Sequence, residues 1–223
     1  EDVNMLKLEK INGKNVWDIL KLCVSEKQKN FVASNDISII EAYTAIIGNG
    51  YVFPFGIYED DTPIGFLMIG FDTDDYWDNA PLIAKGNYNL WRLMIDKNYQ
   101  NKGYGKEAVR LALEFIKTFP CGKAEYCWLS YEPENEIASQ LYRSFGFVET
   151  GEMDEEELIA ILKLERQLLV YQREAPQKTN SGLKRGKFMF EDGRSKKVIF
   201  IAHCILNQNS ISDGTAVFPA ATL

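Results

Sequence analysis

The chain has 223 residues, 46% of them apolar and 26% charged, with 32 Asp and Glu against 25 Lys and Arg and a formal net charge of −7. That is the composition of a globular protein with room for one sizeable domain and part of another, and its acidic balance argues against a nucleic-acid partner and for a cationic one. No run of about 18 apolar residues marks a membrane span, no secretory signal opens the chain, and four scattered cysteines without CxxC spacing beside a single histidine point to a reducing, cytoplasmic setting with no metal site.

The charge is uneven. Residues 1–164 carry 16 basic and 27 acidic side chains, net −11, whereas residues 165–223 carry 9 and 5, net +4. In chain order, Val3–Leu8 alternates like a strand. Asn15–Val24 and Asp36–Ile47 read as helices, the second with Ile37, Ile40, Thr44 and Ile47 as its apolar positions and Gly48-Asn49-Gly50 as its stop. Val52–Glu59 and Ile64–Phe71 form a hairpin about Asp60-Asp61-Thr62-Pro63. The acidic, aromatic stretch from Asp72 to Asp78 is too polar for a core strand and reads as a loop.

Tyr88–Ile95 is the next strand. Lys106–Phe119 has helical periodicity, with Ala108, Val109, Ala112, Phe115, Ile116 and Phe119 on one side. Ala124–Ser130 alternates as a strand, and Asn135 is placed to cap a helix over Glu136–Phe145 that Gly146 stops. Phe147–Glu152 and Leu158–Leu164 are two last strands around the acidic turn Asp154–Glu157. This is a mixed α/β domain over residues 1–170. Residues 171–195 read as a linker rich in polar residues, Gly and Pro, and residues 196–223 as the start of an incomplete second domain or extension.

Between the strand ending at Ile95 and the following helix lies Gln100-Asn101-Lys102-Gly103-Tyr104-Gly105. A glycine turn at a helix N-terminus gathers free backbone N–H groups and the positive end of the helix, and so suits an anionic ligand. Taken with the later run Asn135, Ala138, Tyr142, Gly146, Phe147, this turn resembles the paired motifs of the GNAT N-acetyltransferase superfamily, Q/R-x-x-G-x-G/A and N-x-x-A-x-x-x-Y-x-x-x-G-F. The resemblance covers about residues 1–164. Within the superfamily L-W-R-L-M-I-D (90–96), F-V-A-x-N (31–35) and W-L-S-Y-E-P-E-N (128–135) are most similar to bacterial spermine/spermidine acetyltransferases. The tail after Ala202, C-I-L-N-Q-N-S-x-S-D-G, is faintly similar to the opening of an uncharacterised bacterial domain, with Cys204 in its loop.

The resemblance implies the acyl-CoA N-acyltransferase fold, an α/β architecture with a mixed, mostly antiparallel twisted sheet and flanking helices. It implies acetyl-CoA as cosubstrate, with its pyrophosphate on Gln100, Asn101, Lys102, Gly103, Tyr104, Gly105 and Lys106. The N–H groups of Lys102, Gly103, Gly105 and Lys106 would face phosphate oxygens, the pantetheine arm would run along Leu93, Met94 and Ile95, and Asn135 would bond that arm. Tyr142 occupies the family position of the phenol that protonates the departing thiolate. The acceptor it implies is a small cationic primary amine, a polyamine such as spermine or spermidine, attacking the thioester directly. A drug-like amine, a protein N-terminus, or a regulatory module that binds CoA are the alternatives, and a homodimer is left open.

The acceptor side is less defined by the sequence. Glu41, Asp75, Tyr76, Trp77 and Arg92 are candidates for gripping the amine through ion pairing and cation–π contact. Asp72, Asp74, Asp75, Asp78, Glu41, Glu132, Glu149 and Glu152 are alternatives for the proton acceptor. Trp91 and Arg92 are expected on opposite faces of their strand, one of them toward the acceptor.

Overall fold

The computed structural model describes residues 6–164 of the 223. The expected linker, the partial second domain and Cys204 lie outside the described residues. Seven strands form one sheet in the order β1-β2-β3-β4-β5-β7-β6. They are β1 (Leu6–Lys10), β2 (Tyr51–Glu59), β3 (Thr62–Phe71), β4 (Tyr88–Ile95), β5 (Tyr126–Tyr131), β6 (Val148–Asp154) and β7 (Glu157–Lys163). Helices α1 (Val16–Ile19) and α2 (Asn35–Ile47) lie between β1 and β2, α3 (Tyr104–Lys117) crosses from β4 to β5, and α4 (Glu136–Ser144) precedes β6. Only β4 and β5 pair in parallel. This is the expected fold class and element order.

Period-2 alternation divides the strands between two faces. Leu67, Ile69, Leu90 and Ile95 join a core with Val109, Ala112 and Ile116 of α3 and Tyr142 of α4. Phe66, Met68 and Met94 join a second one with Ile19 of α1 and Ala42 of α2.

Three expectations are corrected. The helix expected over Asn15–Val24 ends at Ile19. Beyond it the Cys23 N–H donates to Asp96 Oδ2 (2.9 Å) and the Cys23 carbonyl accepts from the Lys97 N–H (2.9 Å), so tertiary bonds take the groups that would continue the helix. Second, α2 turns its small face inward. Asn35, Ser38, Ala42 and Ala45 are buried, while Ile37, Ile40 and Ile47 are 47%, 57% and 61% exposed. Both sets have helical spacing; the small one allows close approach, and the Asn35 amide donates to the Ile19 carbonyl (2.8 Å), closing the interface with a bond that isoleucine cannot make.

Third, β4 has a bulge. Met68 pairs with Arg92 and Ile69 with Leu90, leaving Trp91 as the extra residue. Alternation is broken there. Trp91 packs on the α1/α2 side and Arg92 reaches Glu41 of α2 (3.0 Å), so the two residues share a face rather than opposing one another.

Asp96, just past β4, is 4% exposed. Besides the Cys23 N–H it accepts from the Asn98 N–H (3.0 Å) and the Asn98 amide (2.9 Å). Asp96→Ala leaves these donors without their acceptor and is expected to cost about 2–3 kcal/mol in urea unfolding; a change below about 0.5 kcal/mol, the size of an ordinary surface substitution, would contradict that anchoring role.

Candidate active site

The parallel pair β4–β5 starts together and then parts. Tyr88 pairs with Cys127 and Asn89 with Trp128, and no pairing follows. On one side β4 stays bonded to β3 through Ile95, and on the other β5 stays bonded to β7 through Tyr131. The sheet therefore opens between them, and the backbone edge of β4 from Leu90 to Ile95 borders a cavity of about 780 Å³. An extended ligand arm can take the place of the missing strand there by bonding to backbone. Leu93, Met94 and Ile95 line the cavity, and the Ile95 carbonyl is engaged by Gln100 Nε2 (2.9 Å).

The turn after β4 closes one end. Gln100 uses its amide to tie this turn to β4 and to Gln28 (3.0 Å), so its side chain shapes the turn. Gly103 caps α3 with φ of 82°, in the left-handed region that glycine enters without cost. A Cβ at Gly103 would meet no atom within 4 Å; glycine is needed there for its backbone conformation. The N–H groups of Lys102, Gly103 and Gly105 have no acceptor among the described residues. The expectation for Lys106 is corrected: its N–H donates to the Gly103 carbonyl (3.1 Å), closing the first helical turn. Lys102 lies over the rings of Tyr99 (5.3 Å) and Tyr104 (5.9 Å), and the Tyr104 hydroxyl bonds Glu59. Asn101, Gly103, Tyr104, Gly105 and Lys106 all line the cavity.

The opposite wall comes from α4, β5 and β7. Asn135 caps α4, its Oδ1 accepting from the Ala138 N–H (3.1 Å), while its Nδ2 protons have no partner among the described residues and Asn135 lines the cavity. Capping thus uses the oxygen of this amide and leaves its nitrogen protons unengaged. Tyr142 is 9% exposed, its ring held between Tyr131 (5.9 Å) and Phe147 (5.8 Å). Its hydroxyl has no hydrogen-bond partner among the described residues, and the residue lines the cavity. Burial, helped by the neighbouring acidic groups, pushes its phenol well above the ordinary tyrosine value, so it remains a proton donor at neutral pH.

Glu134, Glu136 and Glu157 also line the cavity, as does Lys106 of the turn. Sequence reasoning missed Glu157 and Ser130, and missed the cover formed by Gln28–Ala33 of the loop before α2. For Glu157 the sequence shows only an acidic turn; nothing marks which of its carboxylates enters the cavity.

The residues expected to grip the amine are not gathered here. Asp75, Tyr76 and Trp77 are outside the cavity wall. Their loop follows β3, by the end of the sheet where β4 begins. Asp75 accepts from Asn49 Nδ2 (2.6 Å), the Asp74 side chain from the Tyr76 N–H (2.8 Å), and Trp77 stacks on Trp91 and Trp128 at 6.3 Å each. Asp72 accepts from Thr73 and Gly86 and pairs with Lys85. Glu149 is taken by the Tyr131 hydroxyl and Arg143, each at 2.6 Å. Arg92 does line the cavity, neutralised by Glu41 behind it, and its buried Nε has no acceptor among the described residues.

Among the described residues no cluster of His, Cys, Asp or Glu could hold a metal, and no helix is long and apolar enough to cross a membrane. None of Cys23, Cys121 and Cys127 lines the cavity; the Cys127 thiol is pushed up to about 12 by burial. The cavity suits a long donor with an anionic end at the α3 turn and an extended arm that adds to β4, with the Tyr142 phenol at its wall. These are the demands of an enzyme that takes an acetyl group from acetyl-CoA.

The comparisons agree. Residues 14–147 match the model of the acetyltransferase (GNAT) family, and the chain belongs to that family. Acetyl-CoA is accordingly its acetyl donor. The chain is 29% identical over 149 residues to a spermine/spermidine N(1)-acetyltransferase of Bacillus subtilis strain 168, covering 67% of this chain and 91% of that one. It is 30% identical, over the same shares, to a probable spermine N(1)-acetyltransferase of Bacillus subtilis subsp. natto. An aminoglycoside acetyltransferase solved with coenzyme A and kanamycin superposes with a TM-score of 0.57 at 15% identity, over 71% of this chain and 95% of that one. A spermidine N-acetyltransferase from Vibrio cholerae, solved with CoA and spermine, gives 0.50 at 18% identity, over 70% and 92%. At such identities the structural likeness speaks to the fold.

Proposed function

We propose that this enzyme acetylates a primary amine of a polyamine such as spermine or spermidine by direct attack on the thioester in a ternary complex. The observation that carries the acceptor's charge is the wall holding Glu134, Glu136 and Glu157. None of the three is engaged in an ion pair among the described residues. An unpaired carboxylate at a cavity attracts a cation, and a polyamine offers several at fixed spacing. The relatives named for spermine and spermidine support the same choice.

The donor's pyrophosphate is assigned to the free N–H groups of Lys102, Gly103 and Gly105 with the charges of Lys102 and Lys106. Its pantetheine arm is assigned to Leu93, Met94 and Asn135 Nδ2, and the departing sulfur to the phenol of Tyr142.

CoA release measured across an amine panel tests the reading. Spermine and spermidine are expected to exceed a simple monoamine in kcat/KM by at least about tenfold, roughly 1.4 kcal/mol for the additional charged contacts. Equal values would overturn the polyamine assignment, and preference for an aminoglycoside or a peptide N-terminus would replace it.

A further inference from the structure

We propose that the carboxylate of Glu157, held in place by Ser130, takes the proton from the acceptor ammonium and so generates the attacking amine. This rests on the amine-acetylation reading above. Glu157 opens β7 directly after the tight turn at Glu155-Glu156 and is half-buried at the cavity wall. The Ser130 hydroxyl, at the end of β5, donates to its Oε2, which leaves Oε1 and the remaining lone pairs for a ligand. No lysine or arginine among the described residues pairs with it.

The elements that meet at this carboxylate are rich in acidic groups, and the cations of the cavity wall, Lys29, Arg92 and Lys106, belong to the loop before α2, to β4 and to the α3 turn. Glu132 and Glu134 lie in the loop after β5, Asp154 ends β6, Glu155 and Glu156 form the turn, and Tyr142 stands on α4. Desolvation, then the charge of Glu157, raise the carboxyls of both Glu132 and Asp154. Among the described residues no ion pair reaches Glu132, Glu134, Asp154, Glu155, Glu156 or Glu157. A second observation bears on the acceptor ammonium: the phenol of Tyr142, nine-tenths buried and without a partner, opens on the same cavity and feels the charge of Glu157. The other carboxylates considered for this role are engaged or lie elsewhere. Glu149 is held by Tyr131 and Arg143, Glu41 by Arg92, and Asp75 by Asn49.

The step balances as follows. An ammonium bound at Glu157 gives one proton to the carboxylate, and the freed electron pair on nitrogen forms the C–N bond at the thioester carbonyl carbon. When the C–S bond breaks, its electron pair leaves on sulfur, which takes the Tyr142 proton; the surplus proton on the new amide nitrogen restores the phenol. The products are one amide, one thiol and one proton on Glu157, released to water.

The test compares two acceptors in the full chain: a polyamine, and a difluorinated analogue whose terminal amine is largely neutral at pH 7. Glu157→Gln is expected to lower kcat/KM for the polyamine about 100-fold at pH 7, the scale of a lost general base, but for the neutral analogue less than about fivefold, because there the proton is already gone. The variant's rate with the polyamine should rise close to tenfold per pH unit toward the amine's own pKa, as the free base accumulates. Acetyl-CoA affinity should stay unchanged, which shows that the fold is intact, and Glu157→Asp should keep the shallower wild-type profile. Equal losses with both amines, or an Asp variant with the profile of the Gln variant, would overturn the proposal. Turnover of neither amine by the unaltered chain would overturn the amine reading itself, a distinct result.

Discussion

Replacing Tyr142 with Phe is expected to lower kcat about 100-fold while acetyl-CoA affinity and thermal stability hardly move. The hydroxyl has no hydrogen-bond partner among the described residues, so its loss strands no buried group. The ring keeps its contacts with Tyr131 and Phe147. What disappears is one proton donor facing the cavity. An ordinary thiol loses its proton near pH 8.5 and an ordinary phenol near 10, and burial pushes Tyr142 higher still. Full transfer to a free thiolate would run uphill. In the proposed step the phenol instead bonds the sulfur as charge gathers there, and parts with its proton as the strongly acidic amide nitrogen returns one. Because the shift is upward, the donor form persists through neutral and mildly alkaline pH, so no activity limb below about pH 10 should belong to Tyr142. Stopped-flow or steady-state CoA release, read beside calorimetric acetyl-CoA binding, checks the split. A Phe variant within about threefold of wild-type kcat would remove Tyr142 from the chemistry.

The parts of the fold that were legible in the sequence have one clear apolar face or a strong turn. Tyr88–Ile95 has the bounds of β4 itself, and α3 and α4 lie within two residues of their expected ends at every terminus. Helix α2 misled because isoleucines occupy one helical stripe and small polar residues another. Burial followed the stripe that could dock closely and bond Ile19, rather than the more hydrophobic one. The bulge at Trp91 leaves no trace in the sequence, since one extra residue in a ladder looks like any other. The proposed donor half of the site was readable because it is local: a turn at one helix and a cap at another. The proposed acceptor half joins Ser130, Tyr142 and Glu157 from three elements, a meeting that depends on β7 lying beside β5 although β6 precedes it in the chain. The aromatic and acidic loop at Asp72–Asp78 had the composition of such a site, yet Asp72, Asp74 and Asp75 are spent on nearby backbone N–H groups, Asn49 and Lys85.

Gly65→Ala is expected to cost about 3 kcal/mol, at the upper end of the usual range for overpacking, and to weaken acetyl-CoA binding as well. Gly65 lies on β3 opposite Ile95. A Cβ there would stand 2.5 Å from the Met94 carbonyl oxygen, 3.0 Å from Ile95 Cδ1 and 3.1 Å from Ile57 Cδ1. A flexible side chain can yield to such a contact, but a carbonyl in a ladder cannot move alone. Relief requires β4 to shift from β3 just where Leu93 and Met94 border the split in the sheet. The substitution therefore links packing to the proposed donor site, although Gly65 itself does not line the cavity. Gly70→Ala on the same strand is the control. There a Cβ meets Asn89 and Trp91 atoms only at 3.8 Å, an ordinary contact, and stability should remain within about 1 kcal/mol, with a gain the more natural direction because alanine restricts the unfolded chain. Guanidinium unfolding and acetyl-CoA titration of both variants decide the matter. If Gly65→Ala unfolds at the wild-type midpoint, β3 and β4 have slack that the 2.5 Å approach denies; if it loses stability but binds acetyl-CoA as before, the position of β4 relative to β3 is not what holds the donor's arm.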